Sequence, residues 1–308
     1  MRDVPRITDD DCPAASDTVS TAALIAWHAR RRPETTAVVE DGRSRTYKTL
    51  AEDTARCVAM LAGLGVRPGV ITAIETRPFR YLTLVLTLAC QALGAAVTLA
   101  LRPDLDGDDL VLPDCAVLLL AAPHDRYRAA TVVPADVLDR LAAVPLPPDA
   151  PSLLERAHPL DGIALIARTS GTTGRRKAVP VTARVLNRIA INMVTRLPAD
   201  VRAQVRFLCI YNFSMRAAYT RVLGTLRFGG SVVLGREEHA PRLLSAGPGE
   251  FCPFPGRRRH ANRAWGGTIL SRAGAGTDRH PRRPAASHAA ANPPVRSAQY
   301  SLRIQRNQ

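Results

Sequence analysis

The chain has 308 residues, 46% hydrophobic and 22% charged, a length suited to about two globular domains. Its net charge of +15 would suggest nucleic acid or an anionic surface as a partner if it were spread evenly, but it is not. Residues 241–308 hold 12 arginines against Glu250 and Asp278, so they carry +10, and residues 1–240 carry only +5. The six cysteines form no Cys-x-x-Cys pair, which argues against a metal or disulfide framework and for small buried side chains in a reducing, cytoplasmic setting.

Residues 1–20 are polar, carry Asp9, Asp10 and Asp11, and read as a flexible start with no signal peptide. A helix is predicted over 21–31, stopped by Pro33. Strands follow at 36–40 and, after the Asp41-Gly42 turn, at 45–47. Apolar residues at helical spacing from Leu50 to Ala62 predict a helix over 48–64, closed by Gly63 and Gly65. Residues 70–74 read as a strand. Residues 81–101 carry no charge and lie between Arg80 and Arg102, the length of a membrane span. Thr83, Thr87, Gln91 and Thr98 interrupt the run and Gly94 divides it. The preferred reading is a buried helix, a turn at Gly94 and a strand over 95–100, with no transmembrane segment. Strands at 116–120, 163–167, 178–181, 206–210 and 231–234 alternate with helices at 133–141, 182–197 and 212–227. Such alternation predicts an α/β fold of layered, largely parallel sheets with flanking helices.

The most informative stretch is Thr169-Ser170-Gly171-Thr172-Thr173-Gly174-Arg175-Arg176-Lys177, set between two apolar runs. A loop that wraps a polyphosphate needs these residue types. Glycine lets the backbone approach closely. Hydroxyls and backbone N–H groups donate to phosphate oxygens. Lysine adds a mobile positive charge. Lys48 and Lys177 are the chain's only lysines, against 40 arginines, so a lysine at this spot stands out. The loop is not the P-loop of the NTPases, because Gly174 is followed by Arg175 and Lys177 by Ala178.

The stretch resembles the phosphate-binding loop of the acyl-adenylate-forming ligases, the AMP-dependent synthetase family, whose pattern is Thr-Ser-Gly-Thr-Thr-Gly-x-Pro-Lys-Gly. Residues 169–174 and Lys177 match; Arg176 and Ala178 depart from the pattern. Thr46-Tyr47-x-x-Leu50, Leu64-Gly65-Val66-x-x-Gly69 and Gln91-Ala92-Leu93-Gly94-Ala95 resemble earlier landmarks of the same family. The resemblance runs from about residue 21 to 234. It implies ATP-dependent activation of a carboxylic acid, with Mg²⁺ assisting. Thr169, Ser170, Thr172 and Thr173 would bind the pyrophosphate part, Gly171 and Gly174 would permit the wrap, and Lys177 would neutralise charge. The family's glutamate segment for Mg²⁺, its ribose-binding Thr-Gly-Asp segment and its late catalytic lysine have no counterpart here, so no catalytic or metal residue is assigned.

Past His239 the alternation gives way to Arg257-Arg258-Arg259, Pro281-Arg282-Arg283-Pro284 and mixtures of Ala, Gly, His and Pro. Residues 21–239 thus read as a partial ligase N-terminal domain, impaired when alone. Residues 240–308 read as a basic low-complexity tail, either disordered or the product of a shifted reading frame. A tail of that charge that binds nucleic acid is the competing reading of function. His260, His280 and His288 lack metal-site spacing.

Overall fold

The structure is a computed structural model that describes residues 12–76, 80–106, 117–133, 136–156, 159–168, 177–235, 250–252 and 267–271. The chain divides into two units, Met1–Ala273 and Gly274–Gln308, and every described residue lies in the first.

The first elements are helix α1 (Thr21–Arg31), strands β1 (Thr36–Glu40) and β2 (Arg43–Thr46), and helix α2 (Tyr47–Gly63). Ser20 accepts a hydrogen bond from the Ala23 amide and Thr46 from the Thr49 amide, so each helix starts on a hydroxyl cap. Next come β3 (Ile71–Glu75), α3 (Arg80–Ala92), β4 (Ala96–Ala100), α4 (Arg102–Asp106), β5 (Val117–Leu120), β6 (Thr131–Val132), α5 (Val137–Ala143) and α6 (Ala150–Glu155). The chain then forms β7 (Ile163–Arg168), β8 (Ala178–Thr182), α7 (Ala183–Val194), β9 (Arg206–Cys209), α8 (Arg216–Arg227) and β10 (Ser231–Leu234). Two short strands, β11 (Glu250–Cys252) and β12 (Gly267–Ser271), complete the described elements.

The strands form two sheets. One has the order β6-β5-β3-β4-β7-β8, parallel throughout except that β8 runs antiparallel to β7. The other has the order β11-β12-β9-β10-β1-β2, with β9, β10 and β1 parallel and the outer strands antiparallel. This is the layered, largely parallel α/β architecture that the alternation predicts. Residues of both sheets, Val97 and Leu165 from one and Val38 and Val232 from the other, belong to one hydrophobic core.

The uncharged run resolves into α3, a turn and β4. Every residue of α3 after Arg80 is buried, which is why the helix is apolar all round. Two of its polar groups find partners inside the core: Thr87 Oγ1 donates to Leu84 O at 2.8 Å, and Gln91 Nε2 to the Tyr219 hydroxyl at 3.0 Å. Gly94 turns the chain at φ +67°, a conformation side chains resist. Among the described residues, no helix is long and apolar enough to cross a membrane.

Several boundaries differ from the sequence reading. The predicted helix over 133–141 begins only at Val137, because Val133 continues the strand before it and gives its amide to Leu120 O at 2.7 Å. The helix predicted from 212 begins at Arg216, because Asn212 Oδ1 accepts from the Ser214 amide at 2.8 Å and holds a turn there. The proline-rich stretch around residue 150 hides α6, whose Leu153 and Leu154 reach the core. Beyond residue 239, where no element is expected, the Gly267–Ser271 strand pairs with β9; its Thr268-Ile269-Leu270 core favours extended structure. Cys57, Cys90 and Cys209 are buried, and burial pushes the Cys90 thiol up to about 12 and that of Cys209 to about 11. Cys12, expected to be buried, is exposed.

A buried polar network fastens the start of the chain to α8. Arg227 is fully buried at the end of α8. Its guanidinium donates to Ser16 O at 2.6 Å, Val19 O at 2.8 Å, and Thr21 Oγ1 and Asn187 Oδ1 at 3.3 Å. Burial lowers its pKa to about 10, so the charge persists and carbonyl dipoles solvate it. His28 sits on the same turn. Its Nε2 lies 2.9 Å from Arg227 O, which can only accept, so Nε2 carries the proton. Nδ1 then accepts from Arg32 Nη2 at 3.0 Å. The Arg32 guanidinium lies on Gly229, where φ is +77° and an added Cβ would collide with it. Tyr47, fully buried, sets its hydroxyl 2.7 Å from Gly230 O and 3.1 Å from Leu226 O.

Two outcomes are expected. Arg227→Met leaves four acceptors without a donor and costs on the order of 3 kcal/mol. Limited proteolysis of that variant should cut first between residues 13 and 20. The second concerns His28, which burial lowers from 6.5 to about 4 in the folded chain. The folded state thus excludes a proton that the unfolded chain binds, so this stability is complete above pH 6.5 and is lost as pH falls towards 4. The difference is worth roughly 3 kcal/mol. Urea denaturation of the parent and of His28→Gln should show a stability gap that narrows from pH 7 to pH 4; a constant gap would contradict it.

Candidate functional site

β7 and β8 form an antiparallel pair whose register places Arg168 opposite Ala178. Paired Cα atoms lie about 5 Å apart, so the two ends of the segment 169–177 are held together at a narrow neck. Ala164, Leu165 and Ile166 anchor β7 in the core. Since β7 runs parallel to β4, the neck projects from the carboxyl edge of the sheet. In open parallel sheets that edge is where ligands bind, since every βα connection converges there.

Of the predicted site residues, Thr169, Ser170, Gly171, Thr172, Thr173 and Gly174 lie outside the described residues. Lys177 is described: it is exposed and immediately precedes β8. The tail histidines also lie outside the described residues.

The same carboxyl edge holds a set of polar groups that the sequence reading did not single out. Glu75, the last residue of β3, is buried. One carboxylate oxygen accepts from the Ala121 amide at 2.9 Å, and the other pairs with Arg102 Nε at 3.2 Å. It therefore joins the ends of β3, β4 and β5. Thr76 Oγ1 lies 3.0 Å from Ala100 O and 2.6 Å from Asn212 Oδ1. Arg80 donates from Nη1 to Cys209 O at 3.2 Å and from Nη2 to Ile210 O at 3.0 Å. Through Thr76 and Arg80 the carboxyl edge of one sheet is tied to the loop that follows β9 in the other. Glu40, ending β1, accepts from the Tyr81 amide at 3.1 Å, and burial raises its carboxyl above the usual range. The available signal was weak: in each case a polar residue closes or follows an apolar run.

Residues 25–246 match the family model described as AMP-binding enzyme, which is well over half of the chain. The chain belongs to the AMP-binding enzyme family. Among curated members, it is 34% identical over 237 residues to a feruloyl-CoA synthase from Amycolatopsis, covering 72% of this chain and 46% of that protein. It is 30% identical over 240 residues to an isonitrile lipopeptide synthase from Mycobacterium tuberculosis, covering 76% of this chain and 9% of that protein. Among solved structures, o-succinylbenzoate CoA synthetase from Bacillus subtilis, in complex with its acyl-adenylate intermediate, superposes with a TM-score of 0.57 at 21% identity. That match covers 72% of this chain and 46% of the other, and it shows the shared fold. The N-terminal subdomain of Klebsiella oxytoca NpsA gives a TM-score of 0.55 at 21% identity, covering 71% of this chain and 54% of the other. This AMP-binding chain thus spans about half the length of the feruloyl-CoA synthase that it matches.

The described edge of this AMP-binding domain makes a specific demand on Glu75. Glu75→Ala leaves the Ala121 amide and Arg102 Nε without their acceptor, at a cost of roughly 2 kcal/mol. Glu75→Gln keeps one acceptor and should recover about half of that. Thermal denaturation of the three proteins checks the ranking; equal midpoints would contradict it.

Proposed function

We propose that this chain supplies the phosphate-binding part of a ligase that activates a carboxylic acid with ATP to an acyl-adenylate, releasing pyrophosphate. Residues 169–177 hold the polyphosphate. Hydroxyls of Thr169, Ser170, Thr172 and Thr173 donate to phosphate oxygens, Gly171 and Gly174 let the backbone close on them, and Lys177 offsets their charge. The observation that carries the reading is the neck: a hydroxyl-, glycine- and lysine-bearing segment is suspended from paired strands at the carboxyl edge. The donor set fits a polyphosphate, having many donors and no carboxylate between Arg168 and Ala178. Adenylyl transfer of this kind rests on alignment and charge stabilisation more than on covalent catalysis.

Mg²⁺ does not fit the described residues in the same way. Among them no group of three or more His, Cys, Asp or Glu is arranged to hold a metal ion. No lysine follows Lys177 in this sequence. The chain on its own is therefore proposed to bind nucleotide without completing acid activation.

Isothermal titration with ATP and with pyrophosphate tests the binding. The parent should bind weakly, and Lys177→Ala about fivefold more weakly, as expected for one exposed charge contact worth about 1 kcal/mol. Equal affinities would place the phosphates elsewhere. A pyrophosphate-release assay across fatty, aryl and amino acids should show no acid-dependent turnover by this chain alone; turnover abolished by Lys177→Ala would overturn the proposed incompleteness.

A further inference from the structure

A cavity of about 600 Å³ opens beside the C-terminal end of α1. Its lining includes Arg202, just ahead of β9, and Phe228, just ahead of β10. It therefore lies at the amino edge of these two parallel strands, a different place from the β7–β8 neck. Cys12, Ala14 and Ala15 also line it, so the described part of the chain begins on the wall of this cavity.

The charge of the cavity is one-sided. Arg32 and Arg202 both line it, and among the described residues no carboxylate does. Both arginines are half-buried, and each has donors to spare. Arg32 gives Nη2 to His28 Nδ1 at 3.0 Å, which leaves Nε and Nη1 without an acceptor among the described residues. Arg202 gives Nε to Leu197 O at 3.0 Å and Nη2 to Thr195 O at 3.1 Å, which fixes its plane and leaves Nη1. His28 lines the same space, but both its ring nitrogens are spent on Arg227 and Arg32.

The sequence carries a counter-charge next to this wall. Asp9, Asp10 and Asp11 are the longest unbroken acidic run in the chain, and they directly precede Cys12. They lie outside the described residues. An extended chain advances at most about 3.6 Å per residue, so the Cα atoms of all three lie within about 11 Å of that of Cys12. The stretch that follows Cys12 is already held. Arg227 donates to Ser16 O and Val19 O, and Arg184 and Arg188 pair with Asp17 at 3.5 Å and 2.7 Å. Few residues then have to be ordered for the acids to reach the cavity, and so short a tether keeps them at high effective concentration beside it.

We propose that Asp9, Asp10 and Asp11 dock in this cavity within the same chain, their carboxylates meeting Arg32 and Arg202, so that the N-terminal segment covers the end of α1.

Endoproteinase Asp-N, which cuts before aspartate, reads this docking on the full chain. The cut at the exposed Asp125 serves as the internal reference. The rate of cutting at residues 9–11, divided by that at Asp125, should rise about fivefold from about 20 mM to about 500 mM NaCl, because salt screens partly exposed charge contacts. That arm uses the parent alone and does not depend on any variant folding. Arg202→Gln should give the faster ratio already at low salt. Arg202→Lys loses the same fork to Leu197 and Thr195 but keeps the charge, so its residues 9–11 should stay protected. A ratio indifferent to salt, or equal ratios in Arg202→Gln and Arg202→Lys, would overturn the proposal. Protection that grows with protein concentration would place the acids on a second copy and would overturn it as well.

Discussion

A parallel strand has to be followed by a crossover that returns the chain to the edge from which the strand began. In this protein the constraint acts on β3, β4, β5 and β7 together, so the segments after all four leave from one edge. Residues distant in sequence meet there: Glu75 with Arg102 and Ala121, and Thr76 with Asn212. The segment 169–177 emerges on that edge because its strand is parallel to β4, and β8 turns back antiparallel to close it. Pairing of Arg168 with Ala178 fixes the two ends of that segment, and β4 on the other side of β7 holds the pair in the sheet.

The opposite side of the second sheet is organised by a buried charge. Arg227 has no carboxylate among its hydrogen-bond partners; carbonyls, a hydroxyl and an amide oxygen solvate it instead. That arrangement ties Ser16, Val19 and Thr21 to the end of α8. The same turn orients His28, which orients Arg32, and Gly229 gives Arg32 the room to lie flat. Arg227 thus fixes residues 16–21 through its guanidinium and, through its backbone carbonyl, the orientation of His28 and Arg32.

Two features of composition take on meaning only in place. The run of 81–101 has the length of a membrane span, yet its helical part is the most enclosed helix described, lying within a shared core with Gln91 bonded to Tyr219. Conversely, the arginine surplus of the body is not a uniform surface field. Arg80 and Arg227 spend their charge on carbonyl groups inside the structure.

By itself, the sequence determined the main alternation of strands and helices up to residue 234, the α/β class, the turn at Gly94 and the hydroxyl–glycine–lysine run with its family likeness. Each of these is carried by short-range signals: hydrophobic period, cap hydroxyls such as Ser20 and Thr46, glycines, and a contiguous motif. The tertiary structure decided which edges meet and which polar groups are buried. Asn212 stops a helix short through a local turn and also reaches Thr76 across more than a hundred residues of chain. Thr131 and Val132 join a sheet because β5 offers them an edge. Arg227, His28 and Arg32 look like ordinary residues at the ends of two helices until packing joins them in one chain of hydrogen bonds. The physical reason is the same throughout: local propensity is written over a few residues, whereas burial and hydrogen-bond partnership depend on neighbours that only the folded chain brings together.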